Sequence, residues 1–184
     1  MFAQPIGVGG DTAPPDELVA LAWLESTGNA IRLRIAGLAP DQLYRGTTDQ
    51  LSIAEEIALA TDRERAYLSA FQRALAENNP RLVEPQPGPP FLDREFSDDL
   101  AEFFDLRRQT LDILRTFDAE WDKTVTLPDG KQATLRDLAI RLAQIDKQML
   151  RTISEQRRLF LRTTGVDELR DAGVAGKLGP NLGQ

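Results

Sequence analysis

Cysteine and histidine are both absent from this chain of 184 residues. Without cysteine there can be no disulfide, no thiolate nucleophile and no sulfur-ligated zinc or iron–sulfur centre. Without histidine the commonest transition-metal ligand and the usual neutral-pH general base are gone. Any catalysis would have to run on carboxylates, lysine, tyrosine, serine or threonine. Long apolar runs are missing too, and nothing approaches the roughly 20 residues of a membrane-spanning helix, which argues against a membrane role. The N-terminal MFAQPIGVGGDTAPPDE has neither the basic start nor the apolar stretch of a secretory signal, so the expected location is cytoplasmic. Basic residues are in deficit, 22 Lys and Arg against 29 Asp and Glu for a net charge of −7. That balance argues against nucleic acid as a partner, because a polyphosphate needs a basic surface.

What remains is enough for a core, since 41% of the residues are hydrophobic. The organising stretch runs over residues 134–160. Leu135, Leu138, Leu142, Ile145, Met149 and Ile153 recur there at gaps of three and four, one apolar stripe on a long helix that must be buried. Thr134 with Asp137 caps its start, and Gly165 is the expected C′ residue. Three further helices are expected. One spans residues 17–37 behind Asp16, with Leu21, Leu24, Gly28, Ile31 and Ile35 on its stripe; Gly28 there marks a close helix crossing. The next starts at the capping box Ser52-Ile53-Ala54-Glu55 and runs to about residue 77. The third is capped by Ser97 and runs to about Trp121. Trp23 and Trp121 read as anchors at helix ends. Residues 123–130 read as a short connection with a Pro-Asp-Gly turn, and no strand is expected.

Five prolines between residues 80 and 96 make an irregular crossover, a loop over one end of the bundle or a lid over a pocket. The predicted organisation is therefore a loose Gly- and Pro-rich arm over residues 1–15, an all-α four-helix bundle over 16–165, and a Gly-rich tail over 166–184.

Across residues 16–160 the chain resembles a known family. Asp41-Gln42-Leu43, Leu51-Ser52-Ile53-Ala54-Glu55, Asp62, Glu64 and the run from Arg73 to Pro80 are similar to the first half of a DinB/YfiT-like bundle. Phe103-Phe104-Asp105-Leu106-Arg107, Trp121 and residues 130–153 are similar to the second half. The resemblance implies a four-helix bundle, commonly dimeric and often metal-dependent, with three histidine ligands. Carried over by position, those ligands fall at Leu59, Ile145 and Met149, with the neighbouring acidic residue kept as Asp146. All three ligands are absent, so the resemblance implies a degenerate member that holds no metal or other cofactor.

Carboxylates could in principle replace imidazoles, with Glu55, Asp62, Glu64 and Asp146 as candidates. Asp146 lies about 100° round the helix from Ile145, so the expected reading is a solvated or N–H-bonding side chain. Glu64 and Arg107 are sharper, because each interrupts an apolar stripe and an unpaired charge there would be very costly. The expected arrangement is a buried Glu64–Arg107 pair with Arg107 donating in a fork; the functional alternative is a charged group at the floor of the old pocket, orienting an anionic ligand. Arg157, Arg158 and Arg162 suit the helix dipole at the end of the last helix. The candidate pocket is Glu64, Arg107, Asp62 and Asp146, with no catalytic residue assigned. Two functions follow: a non-catalytic structural, binding or stress-related module, homodimeric as the resemblance implies, or a metal-independent transferase or ligand-binding enzyme that kept the pocket. An open polar cavity between the second and fourth helices would favour the latter, and one filled by Leu59, Ile145 and Met149 the former. The ligand's identity is not encoded in any motif.

Overall fold

Ser52 and Glu55 lock the start of the second long helix reciprocally. The Ser52 N–H donates to Glu55 Oε2 at 2.7 Å, and the Glu55 N–H donates to Ser52 Oγ at 3.2 Å. In the computed structural model, residues 16–46, 50–82 and 94–171 are described, with side chains as far as residue 162. The elements are α1 (Asp16–Ile35), a single turn α2 (Pro40–Leu43), α3 (Ile53–Ala76), α4 (Phe96–Leu114), a 3-10 turn (Ala119–Asp122), β1 (Thr124–Thr126), β2 (Gln132–Thr134) and α5 (Leu135–Asp171). The expected N-terminal arm, residues 83–93 of the Pro-rich crossover and residues 172–184 lie outside the described residues.

The four long helices form a bundle in which α3 packs chiefly on α4 and α1 on α5; α3–α5 and α1–α4 contacts close the ring. Consecutive helices α1 and α3 therefore sit on a diagonal, which the long connections permit. α1 and α4 cross closely at Gly28, where an added Cβ would meet the Phe104 ring at 3.4 Å. Gly37, at φ +78°, ends α1 as expected.

Several boundaries differ from those the sequence suggests. α4 starts one residue before Ser97, with the Tyr44 hydroxyl accepting from the Phe96 N–H at 3.1 Å. It stops at Leu114 rather than near Trp121, because Thr116 turns its hydroxyl back to the Ile113 carbonyl at 2.7 Å. Trp121 instead anchors the 3-10 turn, buried edge-on against Phe117 with ring centres 5.1 Å apart. Trp23 lies within α1, not at its end, and Lys147 Nζ sits 5.4 Å from its ring. α5 runs through Gly165 to Asp171, about 55 Å in all at 1.5 Å per residue. One glycine costs only about 1 kcal/mol of helix propensity, and nothing else in Val166-Asp167-Glu168-Leu169 stops a helix. Arg157 consequently serves another helix: its guanidinium donates to the Leu33 and Arg34 carbonyls at the end of α1.

The segment taken for a plain connection is a hairpin. Thr124-Val125-Thr126 pairs antiparallel with Gln132-Ala133-Thr134, Val125 opposite Ala133. β-branched residues flanking a Pro-Asp-Gly turn favour this pairing. The Gly130 N–H closes the turn on the Leu127 carbonyl at 2.9 Å, with Gly130 at φ +84°. The chain leaving α3 lies alongside, Leu82 N–H donating to the Thr126 carbonyl at 2.7 Å.

The hairpin hands over to α5 through Thr134, whose N–H and hydroxyl both donate to Asp137 Oδ2, at 2.9 and 2.7 Å. These bonds hold the Asp137 carboxyl below the usual carboxylate range. A depressed pKa contributes stability that is present above the unfolded-state value and lost as pH falls through the folded one. Thr134→Ala is therefore expected to cost about 1 kcal/mol at neutral pH. Urea denaturation at pH 7 and pH 3 should show the penalty shrinking in acid.

Candidate functional site

Three charged side chains meet at mid-height in the bundle. Glu64 on α3 sits between Ala60 and Phe71, Arg107 on α4 between Phe103 and Leu111, and Asp146 on α5 between Leu142 and Met149. Helical spacing aims all three inward, and all are buried, Glu64 at 0% exposure, Arg107 at 4% and Asp146 at 3%. Arg107 Nη2 donates to Glu64 Oε2 at 2.7 Å. Its fork, however, is directed at Asp146, Nη1 to Oδ2 at 2.6 Å and Nη2 to Oδ1 at 3.2 Å. Nη1 also reaches the Leu24 carbonyl at 3.2 Å, and the guanidinium carbon lies 5.0 Å from the Phe103 ring centre. Burial alone would lower the Arg107 pKa, but the two carboxylates outweigh it and raise it above that of a free arginine.

The Glu64–Arg107 pair is as expected from the broken stripes, and of the two expectations for Asp146 the solvated one fails while the N–H-bonding one holds, with Arg107 as the donor. The inward series on α5 is Leu138, Leu142, Asp146 and Leu150, each four residues on, and all four are buried. Ile145 flanks this series and is half-buried.

The triad divides the apolar interior. Leu24, Phe71, Leu114, Trp121, Val125 and Leu142 form one cluster towards the hairpin. Ile31, Ile57, Phe103, Met149 and Ile153 form another towards the opposite end. Between them lie Thr27 on α1, Glu64, Arg107 with Thr110, and Asp146, a polar layer through all four helices. Within it Glu64 Oε1, Arg107 Nε and the Thr110 hydroxyl are buried without hydrogen-bond partners among the described residues.

Asp62, expected beside the triad, belongs to a separate network. Arg94 Nη1 donates to Asp62 Oδ2 at 2.9 Å, and Arg94 Nε donates to both oxygens of Asp99, at 2.9 and 3.1 Å. Arg65 bridges from Asp62 Oδ1 at 2.9 Å to Glu102 at 2.6 Å. Thr61 donates to the Asp99 carbonyl at 3.0 Å. This network ties the end of the crossover to α3 and α4. Sequence reasoning missed Arg94 and Asp99, which pair five residues apart across the start of α4, and the remote link from Arg94 to Asp62.

Beside α3 and α5 lies an open groove of about 880 Å³, roofed by Leu82 and the hairpin turn. Its α3 wall is Arg63, Ala66, Tyr67 and Ala70, spaced three, four and seven residues from the first, and its α5 wall is Leu138, Arg141 and Ile145. Of the four candidate pocket residues, Asp62 alone lines this groove; Glu64, Arg107 and Asp146 are sealed behind its wall. Ile145 lines it as well. Leu59 is half-buried outside it, and Met149 is buried in the second apolar cluster. Glu55 is spent on the α3 cap.

The comparisons with known proteins bear on this geometry. No protein-family model matches the chain, and no curated protein does. Among solved structures, YfiT from Bacillus subtilis, described as a probable metal-dependent hydrolase with an unusual four-helix bundle topology, superposes with a TM-score of 0.71 at 14% identity, over 86% of this chain and 93% of that one. This chain has the YfiT fold. The metal that such a bundle implies does not fit the residues present here. Among the described residues of this YfiT-like bundle, no three Asp or Glu side chains gather where they could hold an ion. Leu59, Ile145 and Met149 offer at best a thioether. The inward carboxylate of α5, Asp146, is already neutralised by Arg107.

Proposed function

We propose that this YfiT-like bundle is a metal-independent binding protein, which takes a small-molecule ligand in the groove between α3 and α5 without making or breaking bonds in it. The observation supporting this reading is an open groove of about 880 Å³ lying against a core whose charged groups are closed on one another. That volume falls in the range of small-molecule sites, and an apolar floor with a few polar groups is their usual composition. The floor is Ala66, Ala70, Leu138 and Ile145; the rim carries Asp62, Arg63, Tyr67 and Arg141.

Metal-independent transfer chemistry in the same groove has less support. It needs a base or nucleophile within reach, and the titratable phenol there, Tyr67, has its pKa raised by burial, against the partial opposing pull of Arg141 and Arg63. A phenol held protonated at neutral pH donates hydrogen bonds and is a poor base.

Ala66 is half-buried on the groove wall, so Ala66→Trp will fill the groove from its edge. The expected result is loss of at least tenfold in affinity for any groove ligand found by ligand-observed NMR, with the ligand recovered unchanged after prolonged incubation. Conversion of the ligand, or full-strength binding by the Trp variant, would refute the reading.

A further inference from the structure

The groove arginines are not alike. Arg65 is held by Asp62 and Glu102, and Arg73 by Glu77 at 3.0 Å. Arg63 and Arg141 make no hydrogen bond or ion pair with any of the described residues. Asp129, on the groove rim, is taken by Lys131 at 3.0 Å. The fields of Glu56 and Asp129 reach the two cations, but neither carboxylate closes on them. Tyr67 stands between the two arginines in charge terms, since both act on its phenol. A chain with net charge −7 thus directs at one groove two guanidinium groups that pair with no described carboxylate, and a protonated phenol.

We infer that the groove recognises an amphipathic organic oxyanion, a carboxylate or phosphate held by Arg63 and Arg141 with the Tyr67 hydroxyl as a further donor, and an apolar body lying on Ala66, Leu138 and Ile145. Guanidinium groups present paired N–H donors that match the oxygens of either anion, and such charge-assisted bonds are stronger than neutral ones. The hydrocarbon floor supplies the remaining affinity by burying the ligand's apolar part. Arg107 takes no part in this recognition, because it does not line the groove and its donors are engaged by Glu64, Asp146 and the Leu24 carbonyl.

This inference rests on the groove being the binding site, and three probes separate the two claims. Titration calorimetry is run on the full chain with 2-naphthoate, 2-naphthyl phosphate and the neutral 2-naphthalenemethanol. At least one anion should bind about tenfold or more tightly than the alcohol, and the tighter anion identifies the head group. Arg63→Gln and Arg141→Gln should each remove most of that preference, weakening the anions far more than the alcohol. Arg63→Lys and Arg141→Lys should retain part of it. Because neither arginine pairs with any described residue, the thermal midpoint by circular dichroism should stay at the wild-type value, which certifies folding. Equal binding of anions and alcohol, lost in Ala66→Trp, would overturn the oxyanion and leave the groove standing. An anion preference insensitive to both arginines would also overturn it. No binding of any probe would remove both claims.

Discussion

Arg107→Met is expected to cost on the order of 3–5 kcal/mol at neutral pH, a large share of the stability of a bundle this size. The substitution leaves Glu64 and Asp146 buried together with no cation between them. The native layer already carries one formal positive charge against two negative ones, a net of 1 − 2 = −1. Removing the guanidinium also removes its bond to the Leu24 carbonyl, at 3.2 Å, a link from α4 to α1. Protonating one carboxylate relieves the repulsion, so the deficit should narrow as pH falls from 8 to 5, in the same direction as the Thr134→Ala penalty. The triple variant Glu64→Leu, Arg107→Met, Asp146→Leu should recover most of the loss, because no charge is then left in hydrocarbon. Urea denaturation of wild type, single and triple variants measures this coupling. A single-variant cost below about 1 kcal/mol would mean that water reaches the layer, and the sealed triad would have to be abandoned.

The second large effect is expected at Arg94. Arg94→Ala should cost about 2–4 kcal/mol, since it removes the cation shared by two buried carboxylates, Asp62 and Asp99. Asp62 keeps Arg65, but Asp99 keeps no cation that the structure brings to it. Asp99→Asn should accordingly be milder than Arg94→Ala, and the pair together should cost less than the sum. Equilibrium unfolding at pH 7 reads all three. Additive effects would show that Arg94 and Asp99 are independent, against their bidentate geometry.

The bundle was legible in the stripes, because burial of an amphipathic face is the term that places long helices. Glu64 and Arg107 were legible for the same reason, each charge interrupting an apolar series and so demanding a partner. Asp146 was not. An inward stripe is more than 100° wide, so the period alone does not decide between Ile145 and Asp146, and polarity favoured the wrong one. The series Leu138, Leu142, Asp146, Leu150 carried the signal, had its four-residue gaps been weighed above hydrophobicity. Arg94 and Asp99 were invisible because a five-residue gap spanning the loop and the first turn of α4 matches no helical period, and the bond from Arg94 to Asp62 depends on how the crossover lands on α3. The hairpin fell below notice for its size, three residues to a strand. Whether a cavity opens between the helices now labelled α3 and α5 was left undecided by the sequence, and of the groove's lining only Asp62 and Ile145 stood out there. Its walls are secondary stripes, Arg63-Ala66-Tyr67-Ala70 and Leu138-Arg141-Ile145, and mixed polarity hid them behind the apolar ones.

The polar layer also sets how the bundle responds to heat. Hydration of charged groups becomes less favourable as temperature rises, so the desolvation penalty on Glu64, Arg107 and Asp146 falls on warming while burial of Phe71, Phe103 and their neighbours gains little more. A charged layer therefore weakens the fold most in the cold and least near its melting point. Against an all-hydrocarbon core of the same shape, this bundle has a stability curve displaced towards higher temperature.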